Sequence, residues 1–238
     1  MYYRIVNELN EPLDKELDSR IQSQGSPRKK RASELYRLMA YIYSFADRHS
    51  LKIMQAMAIA VNPEVYIPVI KNAYNSGLLE IQYTDIGVFM PGSILIPDIL
   101  EYMQQYQKLT DEAHTWIHSD GPDQSYMTDY IWESRRRTLS AKLPSRFESV
   151  FLFDDLEVAQ KYNNQLYDNT GTIATVELLS QRALGNYDMQ WIFNYPDSSA
   201  CLTADSYARR YWLGKQSDEC IWEYLYDGTY SLHAIQSC

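Results

Sequence analysis

The last stretch of the chain constrains its fold most. Trp222-Glu223-Tyr224-Leu225-Tyr226-Asp227-Gly228-Thr229-Tyr230-Ser231-Leu232 reads as two apolar β runs joined by Asp-Gly. Asp-Gly between such runs signals a tight hairpin, because the turn needs positive φ and Gly supplies it. The sequence therefore predicts a strand, a turn at Asp227-Gly228 and a second strand. One acid, Glu223, opens the first strand among aromatic and aliphatic neighbours. A carboxylate there is either a solvated charge at a strand edge or a functional acid.

A chain of 238 residues accommodates one large domain or two small ones. Hydrophobic content of 45% is enough for a core, and 22% charged residues argue against global disorder. The net charge of −9 disfavours nonspecific nucleic-acid binding by the whole surface, though not by a local basic groove. Tyrosine is abundant, at 21 residues, and tyrosine-rich surfaces often contact ligands or partners. The three cysteines, Cys201, Cys220 and Cys238, form no CxxC pair and are odd in number. A disulfide framework is not expected, and the composition points to the cytoplasm. The opening residues carry no secretory apolar region, and the apolar run 53–61 is too short to span a bilayer, so no membrane partner is expected.

Along the chain, residues 2–6 read as a strand and 12–24 as a charged helix. Residues 33–59 are helical, with Leu35, Leu38, Ile42 and Phe45 at helical spacing and a break at His49-Ser50. Pro63 and Pro68 flank a further helix ending at Ser76-Gly77, and 78–83 and 86–90 read as two strands. Helix, helix and small hairpin in that order suggest a winged-helix arrangement. Pro97 opens another helix, and 111–130 is ambiguous. From Pro144 onward the pattern changes to mixed α and β. A buried strand is expected at 150–153, then a helix capped by Asp154 or Asp155. Strands at 172–178 and 189–193 and a helix at 204–213 ending at Gly214 follow.

Most catalytic signatures are absent. His114 and His118 share a helix face but lack the Glu of HExxH and a third ligand, so no metal site is expected. No dinucleotide-binding glycine motif, P-loop or nucleophile elbow occurs. Basic runs at 28–31 and 135–137 are either solvated helix charges or a local nucleic-acid track. Two other clusters stand out. In Pro144-Ser145-Arg146-Phe147-Glu148-Ser149-Val150-Phe151, hydroxyls and an Arg lead into a buried strand. A hydroxyl there can orient a carboxylate, and an Arg can pair with phosphate. The other cluster is Tyr2-Tyr3-Arg4 on the first strand. Each is also compatible with a strand cap or edge carrying one surface Arg.

In order, these clusters and Glu223 resemble the three motifs of the ADP-ribosyltransferase superfamily. Its first strand bears Arg or His, here Arg4. A middle strand bears Ser or Tyr, here the segment from Ser145 to Ser149. A late strand bears the catalytic Glu followed by a Gly-Thr turn, here Glu223 and Gly228-Thr229. The middle segment, through Phe151-Leu152-Phe153, is also similar to that of a group of uncharacterised bacterial proteins with this fold. The resemblance covers residues 2–6 and about 136–235. It implies an α+β fold with a split β-sheet core over 1–11 and 131–238. A mostly helical insertion, 12–130, would follow the first strand and serve as a target or partner lobe.

The resemblance also implies chemistry. NAD would be the substrate, without a metal, and its nicotinamide–ribose bond would be cleaved. Glu223 would stabilise the ribosyl cation, with Ser149 or Ser145 orienting the acid or the ribose. Arg4 and Arg146 would bind the pyrophosphate, and Tyr3, Phe151 and Tyr162 would stack on the rings. Members that modify Arg or Asn usually carry Glu or Gln two residues before the catalytic Glu; Ile221 stands there in this chain. That departure points to another acceptor on RNA, DNA or protein, with RNA slightly preferred. A toxin paired with an antitoxin protein, or a phage-defence effector, is the biological setting the resemblance implies. The alternative is an inactive transferase fold with a winged-helix-like binding lobe.

Overall fold

In the computed structural model, residues 1–6, 11–22, 25–60, 63–112, 124–195 and 200–235 are described. In chain order the elements are β1 (Tyr2–Val6), β2 (Glu16–Asp18), α1 (Ser19–Gln22), α2 (Gly25–Arg48), α3 (Ile53–Ala60), α4 (Pro63–Asn75) and β3 (Glu80–Gln82). A 3-10 turn (Tyr83–Ile86), β4 (Ser93–Leu95), α5 (Ile96–Glu112), α6 (Gln124–Leu139), β5 (Val150–Leu152) and α7 (Leu156–Tyr167) follow. The chain ends with β6 (Thr172–Asp188), α8 (Gln190–Phe193), α9 (Cys201–Trp212) and β7 (Trp222–Ala234). The fold is α+β with antiparallel sheets. It divides into two units: residues 1–30, 131–194 and 207–238, and residues 31–130 and 195–206.

Unit 1 is built on the ribbon of β6 and β7. They pair antiparallel along their length, from Ala174 opposite Ala234 to Asp188 opposite Trp222. Two register shifts, near Ser180 and Ala183, mark where a long ribbon departs from regular pairing. β1 lines the outer edge of β6, while β5 and β2 share the other edge of β7. Tyr3 also exchanges backbone hydrogen bonds with Phe153, just past β5, at 2.7 and 2.9 Å. β1 therefore meets β6 on one side and the end of β5 on the other, and the sheet curls back on itself. Val150, Leu152, Ala174, Tyr226, Tyr230 and Leu232 are buried together in its core.

The expected hairpin at Asp227-Gly228 does not form; β7 runs straight through it. Asp-Gly here answers two tertiary demands instead. A side chain at Gly228 would collide with the Ser180 carbonyl oxygen across the ribbon and with the Tyr226 hydroxyl, so only Gly lets the strands approach. Asp227 is buried and ion-paired: its carboxylate accepts from Arg20 Nη2 at 2.8 Å and from Arg182 Nε at 2.7 Å. The Ser19 hydroxyl accepts from Gly228 N at 3.0 Å and donates to the Glu148 carbonyl at 2.9 Å.

Three further expectations change for local reasons. Residues 12–24 are not one helix, because Leu17 pairs opposite Tyr230 as part of β2. The expected boundary at residue 12 therefore moves: β2 and α1 belong to unit 1. Residues 189–193 are a short helix rather than a strand. Buried Asp188 starts it by accepting from Gln190 N at 3.0 Å, and accepts from Ser217 N and Ile221 N at 2.6 and 3.1 Å. Burial opposes its charge, but these donors outweigh burial and hold its pKa below the ordinary value. Residues 86–90 are not a strand: a 3-10 turn ends at Ile86, Gly87 at φ +77° caps it, and the partner of β3 is β4 at Ser93–Leu95. At two helix ends the local signals hold. Asp155 caps α7 by accepting from Glu157 N and Val158 N, and Gly214 follows α9 at φ +62°.

Unit 2 contains α3, α4, the two-stranded β3–β4 sheet and α5. Its core includes Leu38, Ile42, Phe45, Ile59, Ile70, Ile99 and Tyr102. Phe45 stacks on Tyr102 at 3.6 Å between ring centroids, and the Tyr102 hydroxyl donates to the Ala56 carbonyl. The side chains of the basic run 28–31 lie outside the described residues, as do His114, His118 and Cys238. Among the described residues, no single helix is long and apolar enough to cross a membrane.

Candidate active site

Alternation along β7 buries Glu223, the second residue of the strand, opposite Tyr187 of β6. Its Oε1 accepts from Arg146 Nη1 at 2.5 Å and from the Tyr211 hydroxyl at 2.6 Å. Arg146 also donates to the Tyr211 oxygen at 2.6 Å, closing a three-membered ring of contacts. Glu223 is 1% exposed. Its Oε2 has no hydrogen-bond partner among the described residues, although the side chain lines a cleft. One oxygen is thus anchored while the other is unengaged among the described residues.

Arg146 is held by rings as well as by charge. Its guanidinium carbon lies 4.7 Å from the centroid of Phe151 and 5.4 Å from that of Tyr211, within cation–π range. Tyr211 is wholly buried and stacks on Tyr187 at 4.8 Å. Burial pushes its hydroxyl well above the usual tyrosine range, so at neutral pH it keeps the proton it donates to Glu223.

The cleft is lined by Arg4, Ile5, Arg146, Phe151, Phe153, Tyr162 and Glu223, and holds about 80 Å³. It therefore gathers Arg4 from β1, Arg146 and Phe151 from the middle segment, and Glu223 from β7. Tyr162 joins them from α7, where it packs against Phe153 at 5.1 Å. Such a volume admits one small ring or a ribose rather than a whole dinucleotide, since pockets for larger ligands run to roughly 300–1,000 Å³.

Three expected site residues lie elsewhere. Tyr3 packs into the Phe153–Ala159–Met189 cluster, as does Ile221. Ser145 donates to Glu133 Oε2 at 3.1 Å. Ser149 is fully buried, and its hydroxyl has no hydrogen-bond partner among the described residues. The expected hydroxyl support for Glu223 thus comes from Tyr211. Nothing near Tyr211 in sequence announces this, because only the fold brings it against Tyr187 and the acid.

Two expected cations are engaged. Arg4 forms a buried fork with Glu11, Nε to Oε1 at 2.8 Å and Nη2 to Oε2 at 3.0 Å, and Nη1 donates to the Phe151 carbonyl at 3.2 Å. The Tyr230 hydroxyl completes that network by donating to Glu11 at 2.7 Å. Arg136, the middle of the 135–137 run, is buried in a fork with Glu133 and donates to the Leu143 carbonyl. The run is therefore not an open basic track.

Residues 77–236 match the profile of a family described as "Protein of unknown function (DUF2441)". That is more than half of the chain, so it belongs to this family, whose matched region includes every motif residue except those of β1. No curated protein matches it.

Proposed function

We propose that this protein is an NAD-dependent ADP-ribosyltransferase acting on an intracellular macromolecule. One observation carries the reading: strands β1, β5 and β7, far apart in sequence, bring Arg4, Phe151 and Glu223 to one cleft, with Arg146 beside them. The order of motifs along the chain and their meeting in space are independent facts, and both suit this chemistry.

In the reaction, the bond between nicotinamide and ribose C1′ breaks heterolytically, and nicotinamide leaves with the electron pair. Positive charge builds on the ribose, as in glycoside cleavage. Glu223 meets that charge with an unengaged oxygen on an anchored carboxylate, which favours the transition state over the neutral sugar. The acceptor nucleophile then bonds to C1′ and releases its proton to solvent or to Glu223. Arg146 is the cation placed to meet a phosphate, because its partner is the acid that the ribose would engage. Binding a dinucleotide requires the cleft to open, which draws Arg146 away from Glu223. A cytoplasmic toxin or phage-defence role, with an antitoxin as partner, accords with this chemistry.

A second reading, an inactive transferase fold serving as a binding module with unit 2 as a winged-helix-like lobe, is favoured by the closed Arg146–Glu223 pair. Incubating the full chain with NAD labelled on the adenylate and a cell extract separates the two. Transfer of label to RNA, DNA or protein supports the enzyme and names its acceptor. Absence of both transfer and released nicotinamide supports the module.

A further inference from the structure

Acidity is unevenly divided. Unit 1 holds 16 Lys and Arg against 17 Asp and Glu, a net of −1, whereas unit 2 holds 6 against 14, a net of −8. A polyanion would therefore be repelled by the expected recognition lobe and tolerated by the unit bearing the cleft. Within unit 1, residues 207–217 contain Arg209, Arg210 and Lys215 and no acid. All three are exposed and form no ion pair among the described residues.

Aromatic rings lead to the same region. Phe153 and Tyr162 line the cleft, and Tyr162 touches Phe193 of α8 at 6.0 Å. Phe193 is 44% exposed. Trp191, on the same short helix, packs edge-on against Tyr207 at 5.6 Å and lies 5.0 Å beneath the Arg210 guanidinium. Rings interleaved with unpaired cations suit single-stranded nucleic acid: bases stack on the rings and phosphates meet the Arg forks. Duplex bases, already stacked, do not offer that contact.

We propose that the face of unit 1 formed by α8, the Tyr207–Trp212 half of α9 and Lys215 is a binding track for single-stranded nucleic acid that delivers the acceptor to the cleft. This rests on the transferase reading for its purpose but not for its binding. Phe193 receives a base beside Tyr162, and Arg209, Arg210 and Lys215 hold the backbone.

The test uses the full chain and a fluorescein-labelled 12-nucleotide single-stranded RNA, with the matching duplex as control, in anisotropy titrations at 50 and 200 mM salt. The single strand should bind, more weakly at higher salt. Joint Arg209→Ala and Arg210→Ala substitution should make the logarithmic salt slope shallower by about 1.4, the value for two lost phosphate contacts on a single strand. Phe193→Ala should weaken binding at least about fivefold without changing the slope. No binding, equal binding of duplex, or variants that bind like the parent would overturn the track. Nicotinamide release from NAD is measured on the same preparations. RNA binding without release supports the track and removes the transferase reading. Release without RNA binding removes the track and leaves the transferase reading with an acceptor that does not use this face.

Discussion

Arg146 and Glu223 hold each other across the cleft, Nη1 to Oε1 at 2.5 Å, with Glu223 almost wholly buried. Arg146→Ala leaves a buried carboxylate with only the Tyr211 hydroxyl, and should cost roughly 3 kcal/mol of stability in urea unfolding. Glu223→Gln keeps an acceptor for both donors and should cost less than Arg146→Ala. Equal losses would mean that the pair carries no special weight.

Tyr211, not Ser149, supports the acid. Tyr211→Phe removes two hydrogen bonds in a buried site while keeping the stack on Tyr187, and should destabilise by about 1–3 kcal/mol. Ser149→Ala removes a buried hydroxyl that has no hydrogen-bond partner among the described residues, and should be neutral or stabilising by up to about 1 kcal/mol. Chemical denaturation of both variants checks the contrast, and its reversal would restore the serine role.

Gly228 is required by close approach rather than by a turn. Gly228→Ala should destabilise by at least about 2 kcal/mol, because the new methyl meets backbone that cannot swing aside. Gly214→Ala, at φ +62° with nothing within 4 Å of the added carbon, should cost only about 1 kcal/mol. Thermal melts of the two proteins give the comparison.

Burial raises the Asp227 pKa, but bonds from Arg20 and Arg182 outweigh it and leave the group below its ordinary 3.8. Its stabilisation is therefore complete above the unfolded value and is lost as pH falls through the lower folded one. Arg182→Ala should destabilise by about 1–2 kcal/mol at pH 7. The gap between variant and parent should narrow as pH falls from 3.8 through the lower folded value, where Asp227 takes up a proton and no longer needs the cation.

His233 behaves in the opposite sense. Its Nδ1 lies 2.8 Å from Asp14, and its Nε2 lies 3.0 Å from the Ser231 hydroxyl and 3.4 Å from Glu177. The Asp14 bond, chiefly, raises its pKa above the usual 6.5. The stability it adds is present below that value and lost as pH rises through the folded one. NMR titration of the His233 ring should give a midpoint above 6.5, and Asp14→Asn should lower it.

Local patterns revealed a helix cap at Asp154 or Asp155, of which the fold uses Asp155, the end of α9 at Gly214, and the strands carrying Arg4, Phe151 and Glu223. Each depends on neighbours in sequence: a side chain reaching its own helix, a glycine after the last turn, alternation along a strand. The hairpin was misread because Asp-Gly marks both a turn and a place where strands crowd together, and the distant Ser180 carbonyl decides between them. Tyr211, Glu11 and Glu133 were invisible as partners because their pairing depends on tertiary placement or on burial. The division of charge was illegible for a related reason: unit 1 is discontinuous in sequence, and its near-neutrality beside the acidic unit 2 emerges only from the spatial division.

We propose that cleavage of the nicotinamide–ribose bond depends on the Glu223 carboxylate. Free nicotinamide, quantified by chromatography after incubating NAD and cell extract with the full chain, tests it directly. The parent protein should release nicotinamide, and Glu223→Gln should do so at least about 10²-fold more slowly with its unfolding transition still cooperative. Equal release by the folded Gln variant, or none from the parent, would contradict the claim.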